Sequence, residues 1–220
     1  MEYTGQTINY LLQGAVVTLE LWMLTIIISI PIATIVALIR SGNNKFSGKL
    51  LTLFTNLIRG TPLMLQLYVI YFALPLFFNI TLDAFDAALI TFVISWVAYM
   101  NETLRVGIKS IERWQYDSAQ ALGMTYYQTI WYIVLPQAYW RSSAAITNDI
   151  INIMYNLPIV ATIGLEELLK NAKVLVVRTF DFSPFLLLAI FYLLFNGLII
   201  FVGKKVENKL TKFKLAETRI

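Results

Sequence analysis

The residues best equipped to bind a polar solute lie between Asn148 and Asn156. Asn148, Asn152 and Tyr155 recur at i, i+4 and i+7, which stacks them on one face of a helix, with Asp149 and Asn156 beside them. Ile150, Ile151, Ile153 and Met154 cover the remainder, so one face of this stretch is wet. Polar groups are costly in hydrocarbon, and such a stripe must meet other polar groups. It can do so as a seam of interhelical hydrogen bonds or as a surface facing a substrate. The stretch Arg59 to Leu63, R-G-T-P-L, is a second polar interruption of apolar sequence, with Gln66 shortly after it. Gly60 and Pro62 break a helix here, because proline lacks an N–H and clashes with the preceding turn. The backbone groups freed around Thr61 must find partners or line a water-filled path, which leaves a structural kink and a pathway wall both open.

The chain contains no histidine and no cysteine. That removes imidazole and thiolate metal sites, Ser-His-Asp chemistry, thiol nucleophiles and disulfides, and assigns bond-making to a partner. With 58% hydrophobic and 14% charged residues and a mean hydropathy of +0.69, the 220 residues belong to the membrane class rather than to soluble enzymes. The surplus of Lys+Arg (17) over Asp+Glu (13) sits beside apolar runs, so it reads as membrane topology rather than as a nucleic-acid surface.

The elements that must position these groups are membrane spans. Residues 1–15 carry Ile8, Leu11, Leu12 and Ala15 at helical spacing and predict a helix lying on the membrane surface. No Lys or Arg precedes the apolar stretch, so a cleaved signal peptide is not expected. Val16 to Leu38 gives about 23 mostly apolar residues, enough for a hydrocarbon core of roughly 30 Å. Further spans are expected at about residues 61–78, 84–104, 138–163 and 182–202, five in all, in an all-α single domain. Glu102 and Arg105 stand one turn apart and can pair. Gly164 to Asp181 reads as an external segment whose mixed charge suits a docking surface. Gly42–Lys49 and Gly197–Lys204 have the wrong glycine spacing for a phosphate loop, and no nucleotide site is expected in this chain.

Between the third and fourth spans, residues 111–136 form a polar island too short and too polar to cross a bilayer. Ala119, Ala121 and Leu122 favour helix, and Gly123 can take the left-handed conformation that ends one. A second short helix is expected from about Thr125 to Leu135, stopped by Pro136. Ser118, Ala119 and Ala121 leave this knob slim enough to lie in a groove on another protein.

These residues carry a resemblance. Asp117 to Gly123, D-S-A-Q-A-L-G, followed by I-V-L-P-Q-A, resembles the coupling loop of permease subunits of ATP-binding-cassette (ABC) importers, in the polar amino-acid branch of the MetI-like type I family. The stretch I-R-G-T-P-L-M-L-Q-L, ending at Leu67, resembles the same family, in which the broken segment lies by the translocation path. The resemblance extends over about Gly14 to Lys205. It implies that Asp117, Ser118, Ala119, Ala121, Leu122 and Gly123 dock on a cytoplasmic ATPase. It further implies that Gly60, Thr61, Pro62 and Gln66 lie by the substrate pathway; Asn148, Asp149, Asn152, Tyr155 and Asn156 are expected to face it on the strength of their polar stripe. The family usually opens the loop with E-A-A, here Asp117-Ser118-Ala119, which keeps charge and small size. It commonly has Lys-Asp followed by Thr or Ser where this chain has Tyr155-Asn156-Leu157-Pro158. Either the substrate differs from that of the relatives, or a second, non-identical permease subunit carries recognition.

The fold so implied is a type I importer domain of five spans, N-terminus outside and C-terminus cytoplasmic, in a bacterial plasma membrane. That topology puts residues 40–49, 105–141 and the tail from Lys204 on the cytoplasmic side, where the basic residues concentrate. The expected partners are a cytoplasmic ATPase dimer carrying ATP and Mg, a second permease subunit, identical or not, an external solute-binding protein or domain, an amino acid and membrane lipid. No cofactor is expected in this chain. An ion-coupled secondary transporter or a pore subunit is the alternative; the transporter would need ion-coupling carboxylates at the midplane and usually a duplicated fold.

Overall fold

A computed structural model describes residues 5–42 and 45–217, and among these every regular element is helical. Helix α1 (Gly5–Ser41) is followed by α2 (Lys45–Arg59), α3 (Leu63–Tyr68), a π turn (Val69–Ala73) and α4 (Leu74–Phe78). Then come α5 (Ala84–Lys109), α6 (Arg113–Ala121), α7 (Tyr126–Thr129), a second π turn (Ile130–Val134), α8 (Leu135–Asn156), a 3₁₀ segment (Leu157–Ile163), α9 (Leu168–Thr179) and α10 (Ser183–Glu217). The central helix is α5, which packs along α1 on one side and α8 on the other. Phe92, Trp96, Met100 and Leu104 of α5 lie at its buried centre. Gly107 permits the α5–α8 approach: a Cβ there would stand 2.7 Å from the Ala138 carbonyl oxygen.

Several sequence expectations change. The surface helix expected over residues 1–15 does not exist as a separate element, because α1 runs unbroken for 37 residues through Pro31. Its first apolar face is covered by protein: Leu11 and Ala15 pack on Leu168, Ala172 and Leu175 of α9 and on Leu188 of α10. The segment read as external, residues 164–181, holds a helix packed against the rest of the protein. Glu167 starts that helix, its carboxylate accepting hydrogen bonds from the backbone N–H groups of Leu169 (2.8 Å) and Lys170 (2.7 Å). Burial pushes the pKa of Glu167 up in spite of those bonds.

Pro136 does not stop a helix either. The backbone stays helical from Tyr126 to Asn156, and Pro136 falls in the first turn of α8. A proline at this position denies an N–H to the carbonyl of Tyr132, and the π turn over Ile130–Val134 widens the hydrogen-bond register there, so the helix carries on.

Among the described residues, Thr7–Ser41, Ala84–Lys109 and Ser183–Lys209 are long and apolar enough to cross a membrane. The pair Phe46–Arg59 and Leu63–Phe78 qualifies jointly but is bent by 102° at Gly60-Thr61-Pro62, so the segment expected as a span over 61–78 is the far arm of a broken one. Helix α8, the core of the segment expected at 138–163, has span length at 22 residues, but Arg141, Asn148, Asp149 and Asn152 make it too polar to qualify on hydropathy. By length and apolarity alone, three to four candidate spans follow among the described residues.

Candidate functional site

The break between α2 and α3 is stitched by one side chain. Pro62 supplies no N–H to the carbonyl of Ile58, the partner it would have in an unbroken helix. Gln66 replaces it: Nε2 donates to the Ile58 carbonyl at 2.8 Å, to the Thr61 carbonyl at 3.0 Å and to the Thr61 hydroxyl at 2.9 Å. Ser95 of α5 donates to Gln66 Oε1 and ties the break to the central helix. The backbone groups that the sequence left without partners are thus satisfied inside the protein.

Opposite the break stands the polar stripe of α8. Asp149 accepts a hydrogen bond from the Thr103 hydroxyl of α5 at 2.9 Å, and its backbone carbonyl accepts one from the Trp96 indole N–H at 3.0 Å. Asn156 donates from Nδ2 to the Asn152 carbonyl at 2.8 Å. Thr61 and Gln66 from the break meet Asp149, Asn152 and Asn156 around a cavity of about 200 Å³. Gly60 and Pro62 shape the bend without lining that cavity. Asn148 and Tyr155 share the exposed face of α8 and line neither this cavity nor the larger one beside it.

The larger cavity, about 600 Å³, shares Tyr99 and Asp149 with the first and extends along α5 toward the polar island. Arg59, Glu102 and Arg141 line it, and none of them was singled out from sequence as facing a pathway. The Arg59 guanidinium sits over the Tyr99 ring, 5.3 Å from its centre. Glu102 pairs with Arg105 as the spacing predicts, and also with Arg40 at 2.9 Å. Arg40, expected only as one of the basic residues on the cytoplasmic side, has its side chain buried at the end of α1, 3% exposed. It also donates to Asn101 and, at 3.2 Å, to Thr52, so α1, α2 and α5 meet at this group.

The polar island is a compact hairpin. Helix α6 ends in a left-handed residue, Gly123, at φ +74°. The N–H of Gly123 bonds to the Gln120 carbonyl (2.9 Å) and that of Met124 to the Ala119 carbonyl (3.0 Å), the paired bonds of a Schellman cap. Thr125 and Gln128 then exchange hydrogen bonds in a capping box that starts α7. Asp117, Ser118, Ala121, Leu122 and Gly123 are exposed at the tip, with Leu122 at 82%. Ala119 alone of the expected docking residues turns inward and is buried. At the hairpin's base Tyr116 is partly buried; burial raises its phenol pKa, and the neighbouring Tyr126 adds to the effect.

A break laced by side chains, a polar stripe facing it and a protruding capped hairpin can now be set beside known proteins. Residues 29–212 match the family described as binding-protein-dependent transport system inner membrane component. The chain belongs to that family. Among its relatives, the arginine transport system permease protein ArtQ of Bacillus subtilis (strain 168) is 31% identical over 204 residues, 92% of this chain and 93% of the relative. A crystal structure of an amino acid ABC transporter with histidines matches with a TM-score of 0.83 at 27% identity, over 93% of this chain and 95% of that chain. The MetNI methionine ABC transporter in inward-facing conformations matches with a TM-score of 0.75 at 14% identity, over 94% of this chain and 99% of that chain, and supports the fold alone.

The permease is therefore a multi-pass membrane subunit with the all-α MetI-like fold, part of an ABC-type importer that couples to a cytoplasmic ATPase. It is a transport component and not an enzyme, and the ion-coupled secondary transporter falls away as an alternative. Among the described residues no group of three or more carboxylates is placed to hold a metal ion.

Proposed function

We propose that the permease conducts amino acids along a path between the α2–α3 break and the polar face of α8, and that the hairpin at Asp117, Ser118, Ala121, Leu122 and Gly123 docks on the ATPase. The observation that carries this reading is the convergence of Thr61, Gln66, Asp149, Asn152 and Asn156, from stretches far apart in sequence, on one cavity. Polar groups so placed in a membrane protein suit a hydrated path and not a lipid face. The same reasoning makes α8 the fifth span: its polar side is turned to the path, which relieves it of the apolarity a lipid-facing helix needs. The N-terminus then lies outside and the C-terminus in the cytoplasm, with Lys204, Lys205 and Lys209 on the inner side.

In this reading ATP and Mg²⁺ reside on a partner ATPase dimer, a second permease subunit completes the path, and a solute-binding protein delivers cargo from outside. An amino acid as cargo is supported by a relative named for arginine and by the neighbour crystallised with histidines. Asn156 is neutral where the family commonly has an acidic group, which favours cargo other than cationic amino acids. Uptake of a panel of labelled amino acids by proteoliposomes containing permease, ATPase and binding protein tests this. ATP-dependent uptake of a polar, uncharged amino acid is expected, with Asn156→Asp shifting preference toward arginine or lysine. Uptake that proceeds without the ATPase, or a cargo that is not an amino acid, would overturn the reading.

A further inference from the structure

A third cavity, of about 560 Å³, lies at the C-terminal end of α1 and shares no residue with the two described above. Leu38, Ser41 and Gly42 of α1 line one side, Tyr116, Tyr126 and Ile130 of the hairpin the other, and Ile108 of α5 completes the wall. That wall has two characters. Leu38, Ile108 and Ile130 are apolar, whereas Ser41, Tyr116 and Tyr126 contribute three hydroxyls. The Ser41 hydroxyl is buried and has no hydrogen-bond partner among the described residues, a costly state for a polar group. Water would answer the hydroxyls but not the aliphatic side, where a cavity stays dry. An amphiphile answers both, with acceptor oxygens for the hydroxyls and alkyl chain for the rest.

The position of the cavity names the amphiphile. Leu38 closes the apolar run that begins at Val16, so in the topology proposed above the cavity lies at the inner boundary of the hydrocarbon core. Trp131 and Tyr132, exposed directly after Ile130, are the residue types that settle at a membrane–water interface. Lys109, next to Ile108, is exposed at the same end and attracts anionic headgroups. We propose that this cavity is a site for a glycerophospholipid of the cytoplasmic leaflet, one acyl chain lying on Leu38, Ile108 and Ile130 and its ester and phosphate oxygens accepting from Ser41, Tyr116 and Tyr126. A lipid seated there fills the gap between α1 and the hairpin and braces the hairpin against the ATPase. The bracing rests on the docking proposed above; the site does not.

The test reconstitutes the complete permease–ATPase complex in vesicles of phosphatidylethanolamine and phosphatidylglycerol, the latter carrying a photoreactive diazirine in one acyl chain. After illumination, label is expected in the peptides containing Leu38 and Ile130 as well as on the exposed Leu193 and Leu194 of α10. Ile108→Trp puts a large ring into the cavity and should remove the label at Leu38 and Ile130 while leaving that on α10. Ser41→Ala with Tyr116→Phe keeps the aliphatic side and withdraws two donors, and should raise the lipid concentration for half-maximal label at Leu38 about tenfold. For the bracing, ATP hydrolysis stimulated by binding protein should fall when detergent strips the complex of phospholipid and return when phosphatidylglycerol is added. The Ile108→Trp complex, its cavity already filled, should be stimulated with or without that lipid. The site is overturned if label is confined to α10, if both variants label as the wild type does, or if the stripped complex holds detergent there and phosphatidylglycerol does not displace it, an adventitious additive only. Label at Leu38 and Ile130 with stimulation indifferent to lipid overturns the bracing and leaves the site standing, whereas no stimulation in any lipid removes the docking itself.

Discussion

Gly123 offers the cleanest test of the proposal that the hairpin couples to the ATPase. The residue sits at φ +74°, and a Cβ added there would meet no atom within 4 Å. Any effect of Gly123→Ala within this chain is therefore conformational and not steric. An L-residue with a Cβ is disfavoured in the left-handed region by about 1–2 kcal/mol. That reduces the population of the capped turn about 5- to 30-fold relative to its alternatives. Asparagine tolerates the same region, so Gly123→Asn should lose less. Gly123→Pro should lose most, because its φ is fixed near −65° and it surrenders the N–H that bonds to the Gln120 carbonyl at 2.9 Å. Binding-protein-stimulated ATP hydrolysis in reconstituted complexes should thus rank Gly, Asn, Ala, Pro, with the hydrolysis of the isolated ATPase unchanged. If Asn is worse than Ala, the side chain is colliding with the ATPase and the cap is not the limiting feature. If Ala equals Gly, the left-handed turn has no bearing on coupling and the reasoning fails.

Three further outcomes follow from geometry. Gln66→Leu leaves the Thr61 carbonyl without its side-chain donor and weakens the satisfaction of Ile58, and should destabilise the permease by about 1–3 kcal/mol, read as a lower melting temperature of the purified complex. Arg40→Met leaves Glu102 with Arg105 alone and deprives the buried Asn101 Oδ1 of its donor, and should cost about 1–3 kcal/mol, whereas Arg105→Met, on the more exposed side of the same carboxylate, should cost less than about 1 kcal/mol in the same melting assay. Gly107→Ala drives a Cβ into Ser142 and the Ala138 carbonyl and should sharply reduce folded yield even when combined with Ser142→Ala, while Gly197→Ala, with open space around it, should leave yield and melting temperature unchanged.

Local rules made part of this molecule readable in advance. The Gly123 cap follows from a small-residue helix ending at glycine, the wet face of α8 from its amide spacing, the break at Gly60–Pro62 from proline chemistry, and the Glu102–Arg105 pair from i, i+3 geometry. What escaped depends on contacts between distant stretches. Nothing near Gly5 shows that α9 will cover Leu11 and Ala15 and so keep α1 continuous. Arg40 looks like a loop cation until α5 brings Asn101 and Glu102 to it. Pro136 reads as a stop because a shift to π register upstream has no composition signature. Gln66 was legible as a polar residue near a break, but its service as the missing proline donor requires the 102° bend to fold it back on Ile58. Arg59 and Tyr99 were silent because a cation over a ring has no sequence period.

The unbroken course of α1 has a mechanical consequence. At 37 residues it is a rod about 55 Å long. One extremity is seated on α9 through Leu11 and Ala15, and the other is clamped by Arg40 to the junction that borders the larger cavity. A rocking of about 5° about one anchor would sweep the opposite end through about 5 Å, roughly one helical turn's rise. A lever of that reach lets a small tilt at one end arrive at the other as a displacement large enough to unseat a side chain.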